Sequence, residues 1–221
     1  MHKIFFRRIV RDLKTNFLRY FALFFLIFLG MYMVISIVGS ADAIRMGVME
    51  TALESKVEDG QFRTFMKIEQ ESIQNMKSDG VEIEAQFYLD YSLDKQTTIR
   101  IYKNREEVNK VVLEEGALAT KEFEIVLEKQ FAKKNNYKVM DKIEIGKELF
   151  TITGIGSSSD YDSVLKNMSD TCVESKLFGT GFVCNSQYDR LVEAGNFSKS
   201  EEYTYAYRLS GKMTGKEFKE T

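Results

Sequence analysis

The sequence contains no proline and no tryptophan, and its only histidine is His2. About ten prolines would be expected in a chain of this length, and we have no physical explanation for their absence. The shortage of histidine is more informative. It excludes a histidine-dependent catalytic triad, a Cys-His dyad and a His-rich metal site from the rest of the chain.

A nucleotide-binding loop is also missing. The segment SGKMTGKEF is superficially similar to the loop G-x-x-x-x-G-K-[ST], but Gly211 and Gly215 are one residue too close. In addition, Glu217 stands where Ser or Thr would bind magnesium. Carboxylate pairs such as Asp160 and Asp162 are candidates for acid–base chemistry, but such charged clusters are usually solvated surface. We therefore expect no enzymatic activity, no cofactor and no bound metal.

A long apolar segment is present near the N-terminus. Residues 20–41, YFALFFLIFLGMYMVISIVGSA, carry no charged side chain. A helix of this length measures about 33 Å, which matches the hydrocarbon core of a bilayer, about 30 Å. The alternative is a cleaved signal peptide, but the apolar run is longer than a signal sequence requires and no clean cleavage site follows. We interpret the segment as a retained transmembrane helix.

The charges are unevenly divided along the chain. Residues 1–41 hold six Lys or Arg and one Asp, which leaves 25 basic against 32 acidic residues in the rest. The positive-inside rule therefore predicts a cytoplasmic N-terminus and an extracytoplasmic main domain. An acidic body gives no electrostatic reason to expect a nucleic-acid partner.

The segment before the apolar run is amphipathic. On a helical wheel its apolar and basic residues occupy opposite faces. The apolar face consists of Phe6, Ile9, Val10, Leu13 and Phe17, and the basic face of Arg7, Arg11 and Lys14. This pattern is typical of a helix in the membrane interface, with its cations toward anionic headgroups of the lipid bilayer. The alternative is an ordinary basic flank that only orients the span.

The remaining pattern predicts an α+β domain outside the membrane. Met46, Met49 and Leu53 continue the helical spacing, so the span is expected to extend outward as a stalk. Short alternating segments and short helical segments then follow without a regular βαβ rhythm. They include a strand with Phe62, Thr64, Met66 and Ile68 on one face, a helix over residues 105–116, and a strand with Tyr203, Tyr205 and Tyr207 on one face. The predicted organisation is a cytoplasmic helix at 1–19, a transmembrane helix at 20–41, a stalk at 42–60 and the α+β domain at 61–221.

Cys172 and Cys184 are the only cysteines, and both are predicted to lie outside the membrane, where oxidation occurs. A disulfide between them would close a short loop and stabilise the domain by roughly 3 kcal/mol in the loop-entropy model. Two unpaired core cysteines are the alternative.

Residues 124–155 carry a recognisable combination of short signals. They read as a strand EIVL, a helix with FA, a turn and then a β-hairpin that turns at Gly146-Lys147. The expected structural positions of the hairpin are Val139, Asp141, Ile143, Phe150, Ile152 and Gly154. Together with the N-terminal span, this segment resembles the first part of an ABC transporter permease of the FtsX/MacB type. Two departures are Met140, where glycine usually precedes the aspartate, and Ala119, where a proline is common.

The resemblance implies a fold and a function. The fold would be one membrane helix with an outward stalk, followed by a domain resembling the MacB periplasmic core domain. The function would be that of a permease subunit that lies in a bacterial plasma membrane and does not hydrolyse ATP itself. Its implied partners are a cytoplasmic ABC ATPase and a second permease copy or half. The family works in export, lipid or peptide handling, or cell-wall signalling.

Family members have further membrane spans, so the resemblance also implies that this chain is an N-terminal part, incomplete at its C-terminus. A competing interpretation is a single-pass, membrane-anchored sensor or binding module. An anchored hydrolase is a third class, which the lack of histidine disfavours.

Overall fold

The structure is a computed structural model that describes residues 2–161, 166, 174–198 and 203–209. The chain divides into two compact units, Met1–Glu50 and Thr51–Thr221. Asp162, Cys172 and the segment with Gly211, Gly215 and Glu217 lie outside the described residues.

The first unit is helical. Helix α1 (His2–Thr15) is followed at Asn16 by a turn, and helix α2 (Phe17–Glu54) begins directly after it. Helix α2 has 38 residues, so it is about 57 Å long. By length and composition it is the one helix among the described residues that could cross a membrane. The helix ends at Glu54, which is short of the expected end of the stalk at residue 60.

The second unit combines strands with short helices. Its strands are β1 (Gly60–Arg63), β2 (Val81–Ala85), β3 (Tyr88–Ser92), β4 (Thr98–Lys103), β5 (Val111–Gly116), β6 (Glu124–Glu128), β7 (Lys142–Ile145), β8 (Glu148–Ser158), β9 (Phe178–Val183) and β10 (Thr204–Leu209). Its helices are α3 (Gln70–Ser78), α4 (Lys129–Lys134) and α5 (Asn185–Ala194). This mixture is the α+β class that the sequence predicts.

The smaller sheet has three antiparallel strands in the order β1-β10-β2. Aromatic side chains pack along it because alternate residues of a strand lie on one face. Tyr205 of β10 is buried, and its ring lies 5.6 Å from Phe62 and 5.2 Å from Phe87. Tyr203 and Tyr207 are partly buried against the same cluster. The three tyrosines therefore contribute to packing.

The larger sheet is mixed and has the order β3-β4-β9-β6-β8-β5. Strand β4 is parallel to β9 and β6 is parallel to β8, whereas the other pairs are antiparallel. The long strand β8 also pairs through its first residues with β7, which forms the hairpin. Its later residues pair with β5.

One hydrophobic core includes residues of both sheets. Leu89, Ile99, Ile101, Ile125 and Leu127 are fully buried on the larger sheet, where they occupy alternate strand positions. The same cluster includes Val81, Ile83 and Tyr205 of the smaller sheet and Phe131 of α4. A continuous apolar core of this kind is the main stabilising contribution to the domain.

Two expectations about elements are wrong. Residues 105–116 do not form a helix; residues 104–110 form a loop, and β5 follows because Val111 and Val112 pair with β8. β-branched valines favour this extended pairing. The strand expected to include Met66 ends at Arg63, and Met66 is exposed.

Candidate functional site: the hairpin and the junction loop

The hairpin of residues 142–158 has the turn that its sequence predicts. Gly146 and Lys147 have φ of 60° and 74°, and two central residues with positive φ are what a type I′ turn requires. Ile143, Ile145, Phe150 and Ile152 alternate along the two strands and are buried in the core. The structure therefore places these four side chains in the interior of the domain.

The hairpin is preceded by a second tight turn, formed by residues 138–141. The Asp141 N–H donates to the Lys138 carbonyl at 3.1 Å, and Asp141 Oδ2 accepts from the Lys138 N–H at 2.8 Å. Met140 has φ of 75°, the value that a type II turn needs at its third residue. Glycine adopts this conformation without strain, but a methionine does not. Val139 is half-buried beside it.

Gly154 lies where two backbones come very close. A Cβ atom at this position would be 2.6 Å from the Ala117 carbonyl oxygen, closer than any side chain tolerates. The close approach follows a register shift in β5 between Leu113 and Glu115. Gly154 and the hairpin residues are thus explained by packing and backbone geometry, and none of them is arranged for chemistry.

The predicted interface residues lie on two different helices. Phe6, Ile9, Val10 and Leu13, together with Arg7, Arg11 and Lys14, belong to α1 and are exposed. Phe17 instead begins α2, where its ring lies 5.7 Å from that of Phe21. The turn between them contains Asn16, whose amide donates to Asp12 Oδ1 at 3.3 Å.

Cys184 precedes α5 and is a buried, free thiol in the structure. Its sulfur lies 3.3 Å from Ser186 Oγ. Because Cys172 lies outside the described residues, the pairing of the two cysteines stays a prediction.

The most connected polar region of the second unit is a loop that the sequence did not reveal. We call residues 104–110 the junction loop. It links β4 to β5, and its hydrogen bonds reach the end of α2 and both sheets. Its sequence, NREEVNK, has no turn-forming glycine or proline, and its charged residues are equally compatible with a helix.

Helix α2 ends with a defined backbone cap. Lys56 has φ of 49°, and the Val57 N–H donates to the Ala52 carbonyl at 3.1 Å. A left-handed residue followed by this bond is the Schellman arrangement that terminates helices. The chain therefore leaves the helix in a fixed direction within the second unit.

The junction loop binds this helix end through its backbone. The Lys110 N–H donates to the Ser55 carbonyl at 2.7 Å, and the Asn109 N–H donates to the Lys56 carbonyl at 3.0 Å. The Lys56 ammonium in turn lies 2.9 Å from Glu82 Oε1 on β2. These bonds use carbonyl groups that a helix end leaves without partners in the helix.

Asn109 is the centre of the loop. It is fully buried and has φ of 53°, a conformation that asparagine tolerates better than most residues. Its Oδ1 accepts from the Glu58 N–H at 3.0 Å, and its Nδ2 donates to Glu58 Oε2 at 2.6 Å. Ser159 Oγ, just after β8, donates to the same Oδ1 at 3.2 Å.

Glu84 attaches the loop to the smaller sheet. Its Oε2 accepts from the N–H groups of Glu106, Glu107 and Val108 at 3.0, 2.6 and 3.4 Å. Burial raises the pKa of the Glu84 carboxyl above its usual value, although these three N–H groups and the Arg105 charge lower it. Because the Glu84 carboxylate accepts from three consecutive backbone N–H groups, it holds the loop closely against β2.

Arg105 attaches the loop to the larger sheet. Its Nη1 donates to Asp160 Oδ1 at 2.6 Å and to Ser158 Oγ at 2.8 Å. The side chains of this pair are only 1% and 5% exposed. The guanidinium also lies 4.8 Å from the Tyr102 ring and 5.3 Å from the Phe182 ring. Removing one member of such a buried pair would leave an uncompensated charge inside the protein.

The junction loop connects the end of α2 with both sheets of the second unit. Among the described residues, no group of three or more His, Cys, Asp and Glu side chains could hold a metal ion. The polar groups of the junction loop form hydrogen bonds with one another, with neighbouring side chains and with neighbouring backbone groups. Such bonding is typical of a structural connection.

No family model matches the chain, and no curated protein matches it. Among solved structures, it is similar to the extracellular domain of the noncanonic ABC-type transporter YknZ from Gram-positive bacteria, with a TM-score of 0.40 and 11% identity. That match covers 74% of this chain and 87% of the other. It is also similar to the periplasmic region of MacB from Actinobacillus actinomycetemcomitans, with a TM-score of 0.41 and 11% identity, over 72% and 78% of the two chains. MacB is of the type that residues 124–155 resemble.

Proposed function

We propose that this chain is a permease component of an FtsX/MacB-like ABC transporter. In this proposal α2 crosses the membrane, α1 lies on the cytoplasmic side, and the α+β domain lies outside. A cytoplasmic ATPase supplies the energy, because the sequence contains no nucleotide-binding loop. The transporter would act in export, in lipid or peptide handling, or in cell-wall signalling.

The observation that carries the proposal is the attachment of the helix end to the junction loop. Within the second unit, Ser55 and Lys56 are bonded to the loop, and Glu84 and Arg105 bond the same loop to the two sheets. In this proposal, a movement of the helix end is passed to both sheets through these directly bonded groups. Coupling of this kind requires a contiguous network with two alternative arrangements.

The first test asks whether an ATPase partner exists. The full chain, carrying an affinity tag, is purified in mild detergent from membranes of its source cells. The proposal expects an ABC ATPase to copurify and to hydrolyse MgATP in a vanadate-sensitive manner. If the inserted chain is recovered without any ATPase, the proposal fails and the single-pass anchored module becomes the better interpretation.

The second test concerns α1. Leu13 lies on the apolar face of α1, and Thr15 lies beside its basic face. A glutamate at either position adds the same single negative charge, but on a different face of the helix. If α1 rests on the membrane and couples the ATPase to α2, Leu13→Glu should reduce ATP hydrolysis by the purified complex several-fold. The matched variant Thr15→Glu should leave it nearly unchanged, and carbonate extraction should show that both variants remain inserted. Equal activities would leave α1 as a passive anchor.

A further inference from the structure

An exposed apolar tip stands between β1 and α3. We define the tip as residues 64–67, Thr64 to Lys67. The Phe65 side chain is fully exposed, at 104% of its reference area, and Met66 is 78% exposed. Large apolar side chains scattered singly on a surface are common, whereas Phe65 and Met66 are adjacent and form one exposed apolar patch.

The tip is held in place at both ends. The Thr64 N–H donates to the Tyr203 carbonyl at 2.9 Å, and the Ile68 N–H donates to the Tyr205 hydroxyl oxygen, also at 2.9 Å. Within the tip, Thr64 Oγ1 donates to the Met66 carbonyl at 2.6 Å. The structure thus presents Phe65 and Met66 outward on a fixed turn.

The apolar residues on either side of the tip are packed against the core, unlike Phe65 and Met66. Phe62 stacks against Tyr205, and Ile68 packs against the core. The chain therefore buries the apolar residues that flank the tip and exposes the two in its middle. Phe62 and Ile68 both contact the core from this short segment. The exposure of Phe65 and Met66 is therefore not explained by a segment that lies too far from the core.

The charges around the tip indicate what it contacts. Arg63 and Lys67 flank the two apolar residues, and no acidic residue occurs between Gly60 and Ile68. The nearest acidic residues in the sequence are Asp59 and Glu69, outside the tip and its two flanking apolar residues. An aromatic and a flexible apolar side chain bracketed by cations suit a lipid surface, where the apolar groups enter the acyl boundary and the cations meet phosphates.

The tip follows the end of α2 closely in the sequence. Helix α2 is about 57 Å long, and a bilayer with its headgroups is about 40–45 Å thick. A helix that crosses the bilayer therefore projects by roughly 12–17 Å. Phe65 follows Glu54 by eleven residues, which span at most about 36–40 Å even when fully extended. Phe65 therefore lies within that distance of the end of α2.

We propose that the tip is a membrane-docking element whose Phe65 and Met66 insert into the outer leaflet, with Lys67 at anionic lipid phosphates. The inference rests on the proposed membrane anchoring by α2. It adds a second point of attachment, which would fix one end of the α+β domain at the lipid surface. The domain could then respond to the state of the outer leaflet as well as to α2.

The absence of tryptophan makes the test direct, because one substitution introduces the only tryptophan of the chain. The full chain with Phe65→Trp is reconstituted into phosphatidylcholine–phosphatidylglycerol vesicles whose acyl chains are brominated. Two further single variants, Tyr32→Trp and Leu149→Trp, serve as references. Tyr32 lies in the middle of the apolar run, and Leu149 is a 53% exposed residue of the hairpin.

The proposal expects the tryptophan emission of the Phe65→Trp variant to be quenched by bromolipid several-fold more than that of the Leu149→Trp variant. The same emission should be protected from aqueous acrylamide. Adding Lys67→Glu to the Phe65→Trp variant should reduce the quenching by bromolipid at least twofold. The matched substitution Lys147→Glu, at the exposed hairpin turn, should leave it unchanged. Omitting phosphatidylglycerol from the vesicles should also reduce the quenching of the Phe65→Trp variant by bromolipid at least twofold.

The outcomes separate this proposal from the one on which it rests. If the Tyr32→Trp variant is not quenched by bromolipid, α2 does not cross the membrane and both proposals fail. If that variant is quenched but the Phe65→Trp variant is as accessible to acrylamide as the Leu149→Trp variant, only the docking proposal fails. Protection of the Phe65→Trp variant from acrylamide without quenching by bromolipid would mean that a protein surface covers the tip, which also overturns the docking proposal.

Discussion

Asn109 and Glu58, which are 51 residues apart, bond to each other through both their side chains and a backbone group. Asn109 Oδ1 accepts from the Glu58 N–H at 3.0 Å, and Asn109 Nδ2 donates to Glu58 Oε2 at 2.6 Å. This two-point contact joins the segment after α2 to the junction loop. Because both residues are polar, the connection depends on hydrogen bonding more than on apolar packing.

The first prediction follows from this contact. Replacing Asn109 by alanine removes the two side-chain bonds to Glu58 and the bond from Ser159 Oγ, and it leaves the Glu58 N–H without its acceptor. We expect Asn109→Ala to lower the free energy of unfolding by about 2–3 kcal/mol, because unpaired buried polar groups are costly. The measurement is urea unfolding of the full chain in detergent, followed by far-ultraviolet circular dichroism.

The control for this prediction is Asn136→Ala. Asn136 also has a positive φ, 60°, but it lacks the buried side-chain contact of Asn109, so its substitution carries the same backbone cost without the buried bonds. A loss at Asn109 no larger than that at Asn136 would mean that the side-chain contact with Glu58 contributes little.

The second prediction concerns the hairpin. Phe150 is fully buried, and its ring lies 6.0 Å from that of Phe123. Phe150→Ala should lower the free energy of unfolding by about 3–5 kcal/mol, the range for deleting a buried aromatic side chain. The neighbouring Leu149 points outward on the same strand, so Leu149→Ala should cost less than about 0.5 kcal/mol. Similar losses for the two variants would contradict the placement of Phe150 in the core.

The elements that sequence reasoning predicts correctly are those that local patterns specify. The hairpin is set by the alternation of Ile143, Ile145, Phe150 and Ile152 and by the glycine of its turn, all within a few residues. The charge-free run of α2 is equally local. The two-residue period of the side chains and the turn glycine identify the hairpin, and the length of the uninterrupted apolar run identifies α2.

The junction loop could not be predicted in this way because its bonds join residues far apart in sequence. Val108, Val111 and Val112 fit one face of a helix, but Glu84 and Arg105 hold residues 105–110 as a loop instead. The tip is a similar case. Its alternation suggests a longer strand, whereas the bond from Ile68 to the Tyr205 hydroxyl turns the chain away after Arg63.

The third prediction uses the strained turn before β7. Met140 is exposed and has φ of 75°, which costs a non-glycine residue about 1–2 kcal/mol. Met140→Gly should therefore raise the free energy of unfolding by roughly 0.5–1 kcal/mol, after the greater freedom of glycine in the unfolded chain is subtracted. Met140→Ala removes the same side chain but keeps the strain, so it should be nearly neutral in the same urea titration. Destabilisation by Met140→Gly would argue that the methionine side chain itself stabilises the turn.

The last prediction concerns the pH dependence of the bond between Glu84 and the junction loop. Burial raises the pKa of Glu84 above its ordinary value of 4.5, so the folded chain holds this proton more tightly than the unfolded chain. The resulting stability is fully present below the ordinary value and is lost as pH rises through the folded pKa. Glu84→Gln cannot titrate but keeps an oxygen that accepts from the loop. Wild type should therefore gain stability relative to Glu84→Gln as pH falls through the raised folded pKa toward 4.5.

Glu124 provides a control of opposite sign. The N–H groups of Thr120 and Lys121 lower its pKa, so its stabilising effect is present above 4.5 and is lost only as pH falls through the lower folded value. The stability difference between wild type and Glu124→Gln should thus stay constant between about pH 7.5 and about pH 5 and decrease at lower pH. Unfolding of the three proteins at each pH, with the detergent held constant, measures both differences. A difference for Glu84→Gln that stays flat as pH falls to 4.5 would mean that the carboxylate is held at the loop without a cost from its burial.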